Sequence, residues 1–132
     1  MVYAVEPVES VRKILARNAR KYKNIKIIPY ALGKFNKDIE ILNNSRITKG
    51  FIASGSNYIS DCPGESNDEK IDKFNAFMRK GSELFGGLAK IDFIKCDVEG
   101  YETNIIPEMV ALLIKHQPIM LIETRRKKRA YM

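Results

Sequence analysis

The order of apolar segments predicts an α/β fold with a mostly parallel sheet and an antiparallel or loop insertion around residues 34–66. Two short apolar strands near the N-terminus flank a segment with helical periodicity, as in a right-handed parallel crossover unit. A later apolar run, Ile91–Cys96, stops abruptly at two acids and a glycine: Asp97, Glu99 and Gly100. Such endings are typical of the carboxyl edge of an open α/β sheet, which is where these sheets bind ligands.

Length and composition indicate one globular domain without a membrane span. The 132 residues suffice for one core, and an apolar fraction of 45% with a charged fraction of 30% is ordinary for such a domain. The apolar runs are too short to cross a membrane, and residues 1–5 lack the architecture of a signal peptide. Because Cys62 and Cys96 lack metal-ligand spacing, the sequence predicts a reduced, cytoplasmic protein.

Most of the net charge of +7 lies near the C-terminus. Residues 125–129 are all basic, and without them the chain has 18 basic (23 − 5) and 16 acidic residues, a net charge of +2. We therefore expect a folded domain over residues 1–124 and a basic tail over residues 125–132. A nucleic-acid-binding module acting through this tail is the weakest alternative, because the body has no basic footprint.

The N-terminal third predicts a strand, a helix and a second strand. Val2–Val5 is an apolar strand that stops at Glu6, next to a proline that suits the first turn of a helix. Apolar residues at helical spacing then predict a helix over residues 8–22. Ile25–Pro29 is the next strand, and residues 30–33 follow as a turn of small residues.

The middle of the chain has a different pattern. Ile39 and Ile41 alternate with polar residues, which predicts a half-exposed strand with Phe51–Ala53 as its partner. Turn-rich sequence over residues 43–66 predicts loops, which often determine specificity when a rigid scaffold carries them. The spacing of later apolar residues predicts a helix over residues 68–80, followed by a glycine-containing link.

The C-terminal part predicts a helix and a final strand. Pro107 argues against one uninterrupted helix over residues 101–115, so we expect a short turn and then a helix beginning near Pro107. Ile119–Ile122 is the last predicted strand, and it ends at Glu123.

Three predicted strands end at an acid: Glu6, Asp97 and Glu123. In a parallel sheet these ends line one edge, so their recurrence indicates a ligand crevice. An acid between a strand and its crossover helix is well placed to bind both hydroxyls of a ribose, which makes Glu6 a cofactor-binding candidate. The alternatives are an ordinary acid at a helix N-terminus for Glu6, and solvated loop acids for Asp97 and Glu99.

The assembled residues resemble the FkbM-type methyltransferases, which use S-adenosylmethionine and have a Rossmann-like class I methyltransferase sheet. The resemblance lies in three blocks of the sequence: Val2–Pro7, Asn24–Gly33 and Ile91–Glu102. The third block resembles the most diagnostic motif of the family, lysine, an aliphatic residue, aspartate, valine, glutamate and glycine. Cys96 occupies the aliphatic position, which a buried strand tolerates.

The resemblance implies transfer of a methyl group from S-adenosylmethionine to a hydroxyl of a sugar or another small molecule. Glu6 would hold the ribose of the cofactor, and Ala31 and Leu32 would contact its adenine. Asp97 would lie where the methionine part and the acceptor meet. Asp97 or Glu99 would accept or relay the proton of the acceptor hydroxyl, or would only orient that hydroxyl.

The chain also departs from the family. The first strand and glycine-rich loop of the family precede the strand that matches Val2–Glu6, and no counterpart precedes it in this sequence. We therefore expect a sheet that is truncated at the N-terminus and has a free edge. Two interpretations follow: a core segment of a methyltransferase, or a non-catalytic remnant of the fold that self-associates through this edge.

Overall fold

The computed structural model describes residues 1–43, 57–59, 72–98 and 100–123. In chain order the elements are β1 (Val2–Val5), α1 (Glu9–Ala19), β2 (Ile25–Ile28), β3 (Ala31–Leu32), β4 (Lys37–Asn43), β5 (Asn57–Ile59), β6 (Asp72–Arg79), α2 (Gly81–Phe85), β7 (Phe93–Cys96), α3 (Glu102–Glu108), α4 (Val110–His116) and β8 (Ile119–Ile122). Three predicted features lie outside the described residues: Phe51–Ala53, Glu99 and the basic tail. The mixture of strands and helices agrees with the α/β class.

Two pairs of parallel strands carry the α/β part of the fold. β1 pairs with β2, with Val2 opposite Ile25, and β7 pairs with β8, with Phe93 opposite Ile119. The four strands and the parallel pairing that we predicted for them are confirmed. Each pair is a separate two-stranded sheet among the described residues, so one continuous Rossmann-like sheet is not confirmed.

The insertion forms an antiparallel sheet, as predicted, but it extends further along the chain. β4 pairs antiparallel with both β5 and β6, and the short β3 adds to β6 in parallel. The resulting strand order is β3-β6-β4-β5. Ile39 and Ile41 are buried on one face of β4, which confirms the predicted alternation. Ala31 and Leu32, predicted in a turn, instead form β3.

The helix predicted over residues 68–80 is wrong, because residues 72–79 form β6. Phe74, Ala76 and Met78 are less exposed than the residues between them, which is the period of a strand. The spacing of Phe74, Phe77 and Met78 fits one face of a helix equally well, so periodicity alone could not decide. The strand is formed because the first seven residues of β6, residues 72–78, pair with the neighbouring strand β4.

The helices near the C-terminus also differ from the prediction. α3 begins at Glu102 and contains Pro107, whereas we expected a helix to begin near that proline. Pro107 lacks a backbone N–H and therefore weakens the helix that contains it. α3 ends one residue later, and Met109 separates it from α4. The helix predicted over residues 8–22 is confirmed in type and place, and it is shorter at both ends.

Buried side chains form two core clusters. The antiparallel-sheet core contains Val8, Ala31, Ile39, Ile41 and Met78. The second, which we call the Cys96 cluster, contains Phe85, Cys96, Ile105, Met109 and Leu112. Tyr3 and Val5 of β1 pack against the Cys96 cluster, as do Ile94 of β7 and Ile122 of β8. The two parallel pairs therefore share one core although no backbone ladder joins them among the described strands.

The outer face of the β7–β8 pair carries three exposed apolar side chains beside the exposed Lys95. Phe93, Ile119 and Leu121 lie on it with exposed fractions of 56%, 73% and 55%. The register places Phe93 beside Ile119, and Leu121 follows two residues later on the same face. No helix among the described residues is long and apolar enough to cross a membrane.

Candidate functional site

Glu6 lies at the carboxyl end of β1. Its backbone N–H donates to the carbonyl oxygen of Ile28 at 3.0 Å, so the ladder between β1 and β2 continues through this residue. Its carboxylate turns toward the start of α1, where Oε1 accepts a hydrogen bond from the Val8 N–H at 2.8 Å. Arg12 Nη1 donates to the carbonyl oxygens of Glu6 at 3.2 Å and Pro7 at 2.9 Å. These bonds fix the turn between the strand and the helix.

The Glu6 carboxylate is half-buried. Burial raises the pKa of Glu6, against the opposing effects of the Val8 N–H and the Arg12 charge. The bond to Val8 is the helix N-terminal role that we considered as an alternative. The bond to Val8 leaves the Glu6 carboxylate able to accept further hydrogen bonds, because an ionised carboxylate has about four acceptor positions. Glu6 can therefore hold the helix start and still accept hydrogen bonds from a ligand.

Asp97 and Glu123 meet at the carboxyl ends of β7 and β8. The Glu123 N–H donates to the Cys96 carbonyl oxygen at 3.0 Å, which places Glu123 beside Asp97. Lys95 Nζ donates to Asp97 Oδ2 at 2.8 Å, and the Glu123 side chain lies beside this pair. The Lys95 hydrogen bond, more than its charge or Glu123, lowers the pKa of the exposed Asp97. Two of the three strand-end acids are therefore neighbours, and an edge that they share with Glu6 stays a prediction.

A tight turn follows Asp97. The Tyr101 N–H donates to the Val98 carbonyl oxygen at 3.2 Å, and Gly100 has a φ of +103°. A glycine is required there by the backbone conformation and not by space, because a Cβ at Gly100 would meet no atom within 4 Å. Glu99, the other predicted catalytic acid, lies outside the described residues.

Glu102, the first residue of α3, bonds back to this turn, and we predicted no role for it from the sequence. Its side chain is 6% exposed, and Oε1 accepts hydrogen bonds from the N–H groups of Val98 at 2.9 Å and Gly100 at 3.4 Å. The only sequence signal was an acid two residues after the glycine of the motif. That spacing does not reveal burial, which depends on how the turn closes.

Ala31 and Leu32, the predicted adenine contacts, belong to the four-stranded sheet and not to the parallel pairs. Ala31 is buried in the antiparallel-sheet core and is paired with Met78. Leu32 is half-buried and packs against the Cys96 cluster. Both side chains face protein, and their contact with a cofactor stays a prediction.

The acids at the two parallel pairs are not in direct contact. The Glu6 carboxylate accepts from the Val8 N–H, whereas the Asp97 carboxylate accepts from Lys95. Burial raises the pKa of the Cys96 thiol, as do the charges of Glu102 and Asp97, so this cysteine is a core residue and a poor nucleophile. Among the described residues, no three His, Cys, Asp or Glu side chains lie close enough together to hold a metal ion.

A comparison with protein families decides what kind of chain this is. A family model, the methyltransferase FkbM domain, matches residues 1–130. The chain belongs to the FkbM methyltransferase family. The resemblance inferred from three sequence blocks is thereby confirmed, and the FkbM match passes the domain boundary that we predicted at residue 124. No curated protein and no solved structure matches the chain.

Proposed function

We propose that this FkbM-family chain binds S-adenosylmethionine at the carboxyl ends of its parallel strands and directs methyl transfer to a hydroxyl of a sugar or another small molecule. The observation that carries the proposal is the placement of Glu6, Asp97 and Glu123 at these strand ends. The cofactor has a sulfonium, an ammonium group and ribose hydroxyls. Carboxylates complement all three, as counter-ions or as hydrogen-bond acceptors.

Glu6 is assigned to the ribose. Its Oε1 is already held by the Val8 N–H, so the carboxylate has a fixed orientation before a ligand arrives. A preorganised acceptor loses little conformational entropy on binding. The Glu6 carboxylate is half-buried, and protein hydrogen bonds satisfy it only in part. Ribose hydroxyls would donate further hydrogen bonds to it, which favours its ionised form when the ligand is bound.

Asp97 is assigned to the acceptor hydroxyl. Lys95 holds its pKa below the usual value, so Asp97 is ionised at neutral pH and can accept a hydrogen bond from that hydroxyl. The same low pKa makes it a weak base, and we therefore assign it orientation of the hydroxyl oxygen. S-adenosylmethionine supplies an electrophilic methyl carbon: the acceptor oxygen bonds to it as its bond to sulfur breaks. The hydroxyl proton passes to water or to Glu99.

The test is calorimetric titration of the purified chain with S-adenosylmethionine. Glu6→Gln keeps a side-chain oxygen for the Val8 N–H but removes the charge, so we expect affinity to fall about tenfold. Glu6→Ala, which removes both, should weaken binding further. Glu9→Gln is the matched control, because Glu9 is fully exposed and pairs with Lys13 on the same helix. A folded wild-type chain that shows no binding, or equal losses for Glu6→Gln and Glu9→Gln, would refute the proposal.

A second candidate, self-association of a non-catalytic remnant, is favoured by the exposed surface of the β7–β8 pair. β7 pairs with β8 alone among the described strands, and the outer face carries exposed Phe93, Ile119 and Leu121. We infer that a second copy of the chain would cover this edge and face. Light scattering should then give twice the 15.1 kDa of one chain. Leu121→Lys should restore the mass of one chain, and Ile14→Lys, an equally exposed change on α1, should not.

Two further expectations belong to the same proposal. A free cysteine in the core, Cys96, supports a reducing compartment such as the cytoplasm, and we expect no membrane partner. Nucleic-acid binding through residues 125–129, which lie outside the described residues, stays the weakest alternative. It would be salt-sensitive and would be lost when these residues are deleted.

A further inference from the structure

We propose that Glu102 is a positioning residue: its carboxylate holds the loop after β7 in the shape that presents Asp97 to the acceptor. The inference rests on the proposed function, in which Asp97 orients the acceptor hydroxyl. It assigns a task to a side chain that touches neither cofactor nor acceptor and acts through the backbone of the loop.

The burial of Glu102 needs an explanation. Among the described residues, Glu102 is the one charged residue that is buried, with 6% of its surface exposed. Desolvating a carboxylate is costly unless hydrogen bonds compensate for the loss of water. No ion pair of Glu102 occurs within the described part of the chain. Its compensation comes from two backbone N–H groups, which form charge-assisted hydrogen bonds with it.

The two N–H groups lie on either side of position 99. Oε1 of Glu102 accepts from Val98 at 2.9 Å and from Gly100 at 3.4 Å, so one oxygen atom fixes both ends of a three-residue segment. Neither N–H is satisfied by the bond that closes the turn, which runs from Tyr101 to the Val98 carbonyl oxygen. Glu102 therefore pairs two backbone donors that the turn bond leaves unpaired, and it ties Val98 and Gly100 to the start of α3.

Asp97 is directly before this segment. Its side chain is held from the strand side by Lys95, and its backbone continues into Val98, whose N–H donates to Glu102. Loss of the Glu102 bonds would free the backbone after Asp97 while leaving the Lys95 pair in place. A small displacement of an orienting group is enough to reduce methyl-transfer efficiency, because in-line transfer depends on alignment.

Amide hydrogen exchange measured residue by residue tests the proposal directly. Glu102→Gln keeps a neutral acceptor and Glu102→Ala removes it, so exchange at Val98 and Gly100 should quicken in the order wild type, Gln, Ala. Since charge-assisted bonds are about twice as strong as neutral ones, we expect about tenfold faster exchange for Glu102→Gln. The backbone amides of β7 serve as internal controls, and their exchange rates should change much less.

Glu108→Gln is the matched control on the same helix. Glu108 accepts from the Ser82 N–H at 3.2 Å and from the Ser82 hydroxyl, so it links α3 to α2 and not to the loop. Glu108→Gln should quicken exchange at Ser82 and leave Val98 and Gly100 unchanged. Calorimetry with S-adenosylmethionine, followed by single-turnover transfer to an acceptor that the wild-type chain methylates, should show a larger loss of transfer rate than of cofactor affinity for Glu102→Gln.

Failure of this inference is distinguishable from failure of the proposed function. If wild type does not bind S-adenosylmethionine but Glu102→Gln still frees the Val98 and Gly100 amides, the methyltransferase role fails and the loop-holding role survives. If exchange at these two amides does not change in Glu102→Gln, or changes equally in Glu108→Gln, Glu102 is not a positioning residue. Both conclusions rest on Glu102→Gln, which preserves the volume of the side chain.

Discussion

Replacement of Gly100 by alanine measures how much free energy of unfolding is lost when a residue with a Cβ adopts the positive φ next to the candidate site. Gly100 has a φ of +103°, outside the regions that residues with a Cβ adopt readily. The added Cβ would meet no atom within 4 Å, so steric overlap with neighbours contributes nothing. A strained φ costs about 1–3 kcal/mol, and the entropy lost from the unfolded chain offsets about 0.4–1 kcal/mol of that. We expect a net destabilisation of about 1–2 kcal/mol.

Urea denaturation provides the measurement. With an m-value of about 2 kcal/mol per molar urea, Gly100→Ala should lower the midpoint by roughly 0.5–1 M. Gly87→Ala is the matched control, since Gly87 has open space around it and no positive φ. It should be neutral or more stable by about 0.4–1 kcal/mol. Equal midpoints for the two variants would refute the argument that the turn requires a glycine at position 100.

Three other changes test the electrostatics and the core. Lys95→Met removes the main cause of the lowered Asp97 pKa, so carboxyl NMR titration should show that pKa moving up toward 3.8. The raised folded pKa of Glu6 stabilises the fold below its unfolded value of 4.5 and loses that contribution as the pH rises through the folded pKa. Glu6→Gln should therefore gain free energy of unfolding relative to wild type at neutral pH, but not at pH 4. Met78→Ala, at a fully buried site, should cost about 2–5 kcal/mol in urea denaturation, and Phe35→Ala, at a side chain 60% exposed, less than about 0.5 kcal/mol.

The parallel strands and their terminal acids could be predicted because the signals are local. A short apolar run followed by an acid marks both the strand and its end, as Glu6, Asp97 and Glu123 do. Parallel pairing then brings neighbouring ends together without further information. The contact of Asp97 with Glu123 follows from the register of β7 and β8 and needs no knowledge of the loops.

The features that the sequence did not reveal depend on partners far along the chain. The strand β6 was read as a helix because Phe74, Phe77 and Met78 satisfy both periods, and only its pairing with β4 separates the two. The burial of Glu102 likewise depends on a turn whose N–H groups point back toward the helix start. In both cases the residue types were visible, but the deciding interaction was not local.

The two halves of the candidate site are held together by packing and not by a common backbone ladder. Glu6 ends β1 and Asp97 ends β7, and among the described strands these belong to separate sheets. Tyr3 of β1 contacts the Phe85 ring edge-on, with centroids 5.8 Å apart, and Phe85 belongs to the same cluster as Cys96 of β7. Side-chain packing transmits position less rigidly than a hydrogen-bonded ladder, because side chains can repack. A cofactor that contacts both acids would therefore supply a second link between the halves, so its binding and the stability of the Cys96 cluster should be thermodynamically coupled.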